Sequence, residues 1–187
     1  MYPFIEYCKN GNIDEIKKMS LEGCDLESGF RWACAYGHYM IVQYLIGLYK
    51  IDTTYKPINI HVDNEYGFSL ACVNGHYDIV QYLIGLYKID TTYKPINIHV
   101  NNEYGFRYAC KNGHYDIVQY LIGLYKIDTI YKPINIHANN EFGFKWACMN
   151  EYYDIVHYLI KLYRKHLVYK PIKNYLICFK KIDKYLL

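Results

Sequence analysis

No stretch of this 187-residue chain stays apolar long enough to cross a bilayer. Its most hydrophobic run, Met40 to Leu48, is about half the roughly 20 residues a spanning helix needs, and Gln43 interrupts it. Glu6 and Lys9 charge the opening, which therefore lacks the apolar core of a secretory leader. No membrane span and an intracellular location are expected. Cysteine occurs seven times but never as C-x-x-C. Cys34, Cys72, Cys110 and Cys148 recur at one spacing, and Cys8 holds the matching place earlier. In a helical stack such positions lie about 8–10 Å apart, beyond the roughly 7 Å that a disulfide tolerates. Neither a disulfide framework nor a four-ligand zinc site is expected, and reduced thiols agree with an intracellular protein.

Chemistry-bearing signatures are missing as well. The chain has no P-loop, dinucleotide-binding glycine fingerprint, G-x-S-x-G or H-E-x-x-H. Arginine is scarce, at Arg31, Arg107 and Arg164, whereas Ile, Asn, Lys and 25 Tyr abound. All four abundant residues use A/T-rich codons, so base composition explains the bias before function does.

What the chain does have is repetition. Gly29–Tyr66, Gly67–Tyr104 and Gly105–Phe142 are near-identical blocks of 38 residues, and an eroded fourth begins at Gly143. Such a period marks a stacked array in which each unit buries its apolar face only against its neighbours. Within one block, Asn64 and Glu65 suit the start of a first helix. Phe68, Ala71 and Cys72 fall on one face of it, and Asn74-Gly75 breaks it. Ile79, Val80, Leu83, Ile84 and Tyr87 make the broad buried stripe of a second helix over about Tyr77 to Lys88. Lys94-Pro95 forces extended backbone, and the alternation Ile96-Asn97-Ile98-His99 reads as an extended finger or short strand. Residues 1–28 read as a shorter N-terminal capping unit, 143–170 as a last repeat and 171–187 as a C-terminal capping helix.

The segment Ala71-Cys-Val-Asn-Gly-His-Tyr-Asp-Ile-Val80 and its three counterparts resemble the ankyrin repeat, whose pattern is A-A-x-x-G-H-x-x-I-V. The wording Asn102-Glu-Tyr-Gly-Phe-Arg-Tyr-Ala-Cys110 and the residue bias are most similar to ankyrin proteins of giant amoebal DNA viruses of the mimivirus type. The resemblance implies an all-α repeat solenoid of antiparallel helix pairs with extended finger loops, in a viral protein of the host cytoplasm. Two departures stand out: Tyr66-Gly67-Phe68-Ser69 replaces the family's T-P-L-H opening, and each unit is longer than usual around Leu86 to Lys94.

Catalysis needs unlike groups converging once, whereas here nearly every polar residue has translational copies. His38, His76 and His114 read as turn braces, and His61, His99 and His137 as exposed finger residues. No enzyme, cofactor or metal is expected. Binding is the remaining reading, by a chain expected to be monomeric. The copies differ mostly in the first helix, and the family binds partners along its first helices and finger tips. Carried onto this chain, that implies a protein-binding strip of Arg31, Trp32, Tyr36, Arg107, Tyr108, Lys111, Lys145 and Trp146, Trp, Tyr and Arg being frequent interface anchors. Drift after a recent duplication is the competing account of the same differences. Residues 161–187 hold eight of the 21 basic side chains against the single Asp183, leaving the remainder acidic. A basic helix there is an alternative contact for nucleic acid or an anionic surface.

Overall fold

The computed structural model describes residues 3–165, which form helices joined by turns and loops, with no strand among the described residues. The expected capping helix at 171–187, and with it most of the basic residues of 161–187, lies outside them. The chain divides into two compact units, residues 1–97 and 98–187.

In the first unit the helices are α1 (Pro3–Asn10), α2 (Ile13–Lys18), α3 (Leu26–Tyr36), α4 (Tyr39–Ile51), α5 (Val62–Asn74) and α6 (Tyr77–Ile89). In the second they are α7 (Val100–Asn112), α8 (Tyr115–Ile127), α9 (Ala138–Met149) and α10 (Tyr153–Lys165). First helices pack on first helices, α1 on α3 on α5 and α7 on α9, and second helices pack on second helices. Each pair is joined by a tight turn. Gly37, Gly75 and Gly113 adopt left-handed backbone with φ of 78°, 81° and 83°, which glycine enters without the usual Cβ penalty. His38 and His76 brace these turns as expected. Their Nε2 atoms donate to the carbonyls of Lys9 (2.7 Å) and Ala35 (3.0 Å) in the preceding repeat.

The core repeats with the sequence. Phe4, Phe30 and Phe68 in the first unit, and Phe106 and Phe144 in the second, are fully buried together with the Ala-Cys pairs behind them. Three glycines begin to make sense in this packing. A Cβ on Gly29 would lie 2.5 Å from the ring of Phe4, and one on Gly67 would lie 2.6 Å from the ring of Phe30. One on Gly143 would lie 3.1 Å from Cys110 Cβ. The glycine that replaces the family's opening residue is thus the socket for the preceding repeat's phenylalanine.

The second helices end without a glycine. The Asp90 N–H closes the last turn on Leu86 (2.9 Å), and the Tyr93 N–H bonds back to Asp90 (3.1 Å). Asp90 is buried and collects Lys50 Nζ (2.5 Å), Tyr49 Oη (2.6 Å) and the Thr92 N–H (3.1 Å). Burial alone would raise its carboxyl. The hydrogen bonds from Lys50, Tyr49 and Thr92 together outweigh that and hold it well below the usual carboxylate range. The fingers that follow bury Ile58, Ile60, Ile96, Ile98, Ile134 and Ile136, but they form no strand.

Three expectations need correction. Asn64 does not cap its helix: Asp63, Asn64 and Glu65 form a left-handed turn with φ of 51–62°, as do Asn101–Glu103 and Asn139–Glu141. Asn and Asp tolerate that region better than most L residues, and the glutamate is fixed there by its side chain. The finger histidines are not freely exposed either. His61 and His99 donate from Nδ1 to the buried carboxylates of Glu65 and Glu103, each at 2.9 Å, and His137 pairs with Glu141 at 3.5 Å. The same carboxylates accept the next finger's backbone: the Asn97 N–H reaches Glu65 (3.0 Å) and the Asn135 N–H reaches Glu103 (3.1 Å). Glu27 takes the Asn59 N–H in the same way (3.2 Å). Finally, Cys8, Cys34, Cys72 and Cys110 are free and buried, but Cys148 is disulfide-bonded, so the equivalent positions do not all carry thiols.

Candidate protein-binding face

The first helices place the expected strip residues in two groups, one per unit. In the first unit, Trp32 and Tyr36 stand one helical turn apart on α3, with rings 5.9 Å apart, and both are exposed, at 39% and 54%. Lys9 of α1 sets its ammonium 4.7 Å from the Trp32 ring while pairing with Glu6 (2.9 Å). Arg31 does not project. It donates to Ser28 Oγ (2.6 Å) and forms an ion pair with Asp63 of α5.

In the second unit, α7 and α9 carry a continuous series of rings. Tyr104 and Tyr108 lie 4.4 Å apart, Tyr108 and Phe142 5.3 Å, and Phe142 and Trp146 5.9 Å, all partly exposed. Lys111 spans the series, with Nζ 5.3 Å from the Tyr108 ring and 4.6 Å from the Trp146 ring. Arg107 is buried beneath it. Its Nε donates to the Asn102 carbonyl (2.7 Å) and its Nη2 to the Asn101 carbonyl (3.1 Å), so it closes the left-handed turn. Its guanidinium lies 5.1 Å from the Phe142 ring. Lys145 is half-buried and has no ion pair among the described residues.

Sequence comparison missed Tyr104, Phe142 and Lys9. Tyr104 repeats Tyr66, and Phe142 differs from them by one hydroxyl, so looking for differences between copies passes over them. Of the eight expected residues, Trp32, Tyr36, Tyr108, Lys111, Lys145 and Trp146 offer side-chain surface, while Arg107 is buried against two backbone carbonyls and Arg31 is turned onto the side chains of Ser28 and Asp63.

A cleft of about 490 Å³ in the second unit is lined by Tyr115, Gln119, Lys126, Asp154, His157 and Lys161. The Asp154 carboxylate there accepts the Ile155 N–H (2.8 Å), and His157 makes no side-chain hydrogen bond among the described residues. A base without an orienting partner is not a catalytic pair. No group of three or more potential metal ligands occurs among the described residues. No helix there is long and apolar enough to cross a membrane.

Comparison with curated proteins returns no match. A family model for ankyrin repeats matches residues 68–168 in three copies. Ankyrin repeats generally mediate protein–protein interaction and are typically non-enzymatic scaffolds. With paired antiparallel helices, glycine turns braced by histidine, and a match over more than half its length, the chain belongs to the ankyrin-repeat family.

Proposed function

We propose that this chain is a non-enzymatic protein-binding scaffold that meets its partner through the first helices. The contacts are Trp32 and Tyr36 in one unit and Tyr108, Lys111, Lys145 and Trp146 in the other. One observation carries the reading: the position of Trp32, Tyr108 and Trp146 differs between copies and brings an aromatic ring to the surface in three of the four, while the buried Phe and Ala-Cys positions stay the same. Aromatic side chains lose little conformational freedom on binding and bury large areas, which is why they dominate interface energetics. Arg31 and Arg107 support this face from behind. The Asn, Ile, Lys and Tyr bias supports a viral setting, with a host or viral protein as the partner.

The test is capture from the relevant cell lysate followed by mass spectrometry, using the full chain and a variant with Trp32→Ala, Tyr108→Ala and Trp146→Ala. The triple variant is expected to keep its helical circular dichroism and lose the captured partner. Unchanged capture would refute the site.

A further inference from the structure

We infer that the first-helix face of the second unit takes an acidic polypeptide segment in which a carboxylate stands beside an apolar side chain. The inference rests on the protein-binding reading above and names the chemistry of the partner. Its apolar half is the series Tyr104, Tyr108, Phe142 and Trp146, partly exposed along its length. Its charged half is Lys111 and Lys145, neither of which has a carboxylate partner among the described residues. The two glutamates in these helices cannot neutralise them. Glu103 and Glu141 are buried and turned to the finger side, Glu103 toward the Asn135 N–H and His99, and Glu141 toward His137. Glu151, next to Asn150 whose Nδ2 donates to the Lys111 carbonyl (2.7 Å), makes no ion pair with either lysine among the described residues, so the face presents ammonium groups without a carboxylate partner against rings. Lys111 is also held in place: lying over two rings, its stem has less freedom left to lose when an anion binds.

The first unit provides an internal contrast. Lys9 and Trp32 occupy the positions of Lys111 and Trp146, the lysine before the Asn-Gly turn and the tryptophan three residues past the repeat glycine. Both couples have the ammonium over the indole, at 4.7 and 4.6 Å. Lys9, however, already pairs with Glu6, so the charge left for a partner is on the second unit. Single-stranded nucleic acid also combines stacking with positive charge, but it needs ring faces open to bases. Here Tyr108 is flanked by Tyr104 and Phe142, and Trp146 by Phe142 and Lys111, which leaves ring edges for a side chain to pack on.

Only two tryptophans exist, so Trp32→Phe leaves Trp146 as the sole indole and a reporter of this face. A random-peptide display library selected on the full-length chain should enrich Asp or Glu next to Leu, Phe or Tyr. The selected peptides should change Trp146 emission in the Trp32→Phe protein. Lys111→Glu with Lys145→Glu should weaken them by about tenfold or more and favour basic peptides instead. Lys111→Met, which keeps most of the stem, should weaken them without altering circular dichroism. Enriched peptides without an acidic bias would overturn the partner chemistry and leave the protein-binding reading standing. Oligothymidylate bound in preference to every selected peptide, or no peptide that perturbs Trp146, would overturn the inference altogether.

Discussion

Gly67→Ala and Gly85→Ala are the same substitution in helices of the same unit, yet they are expected to move stability in opposite directions. Gly85 lies inside α6 with no heavy atom within 4 Å of a built Cβ. Alanine there gains helix propensity and limits the unfolded chain, a stabilisation of about 0.5–1 kcal/mol. At Gly67 the same propensity gain is opposed by the Phe30 ring. Its Cε1, Cζ and Cδ1 would stand 2.6, 3.1 and 3.3 Å from the new methyl, and Phe30 is itself fully buried, so the ring has little room to retreat. Overpacking of this kind costs about 1–3 kcal/mol, which after the propensity gain leaves a net loss of up to about 2 kcal/mol. In a protein of this size each kcal/mol shifts the melting temperature by about 2–4 °C. Thermal melts followed by far-UV circular dichroism should therefore rank Gly85→Ala above wild type and Gly67→Ala below it. Phe30→Leu combined with Gly67→Ala should be less damaging than the sum of the two, because the smaller side chain relieves the clash. If Gly67→Ala stabilised as Gly85→Ala does, the socket would play no part in repeat stacking.

Three further outcomes follow from particular contacts. Met40 is 61% exposed in the first turn of α4, where the other second helices carry Asp78, Asp116 and Asp154; Met40→Asp should stabilise by about 0.3–1 kcal/mol in denaturant titrations. The carboxyl of Asp90 is held below its ordinary value near about 3.9, so the stability it supplies is complete above that pH and is lost as pH falls toward the folded-state value. The melting-temperature gap between wild type and Asp90→Asn should accordingly be constant from neutral pH down to about pH 5 and close at more acidic pH; a gap independent of pH would refute the assignment. Burial pushes the Cys8 thiol up to about 12 and raises Cys34, Cys72 and Cys110 as well. Alkylation mapped by mass spectrometry should label the part-exposed Cys24 before those four, which stay intact until unfolding.

Where the sequence was readable, the reason is periodicity. The stripe from Ile79 to Tyr87 placed the second helix at Tyr77–Lys88, and it runs Tyr77–Ile89. Asn74-Gly75 placed the turn, and Gly75 is left-handed. Letters with two meanings were the difficulty. Asn-Glu before an apolar run is the signature of a helix start, yet here it forms a left-handed turn, because the glutamate is held by its histidine and by a backbone N–H 32 residues further on. The part played by Gly67 is hidden in the sequence, since nothing local reveals the ring arriving from Phe30. The direction of a long side chain is equally invisible. Arg31 and Arg107 share a position facing the strip, but each folds back onto a neighbour, one onto Asp63 and the other onto two carbonyls.

The bonds from Glu27, Glu65 and Glu103 to the fingers at Asn59, Asn97 and Asn135 bear on how such a chain can change length. Each acceptor serves a donor in the copy that follows, so a duplicated block of 38 residues arrives with both ends of the link in register. Adding or removing a whole copy leaves every internal carboxylate with a loop to hold, whereas losing part of a copy that carries one end of a link separates the carboxylate from the N–H it holds. Unequal crossing-over between near-identical copies thereby keeps these links, and the array can lengthen by copying alone.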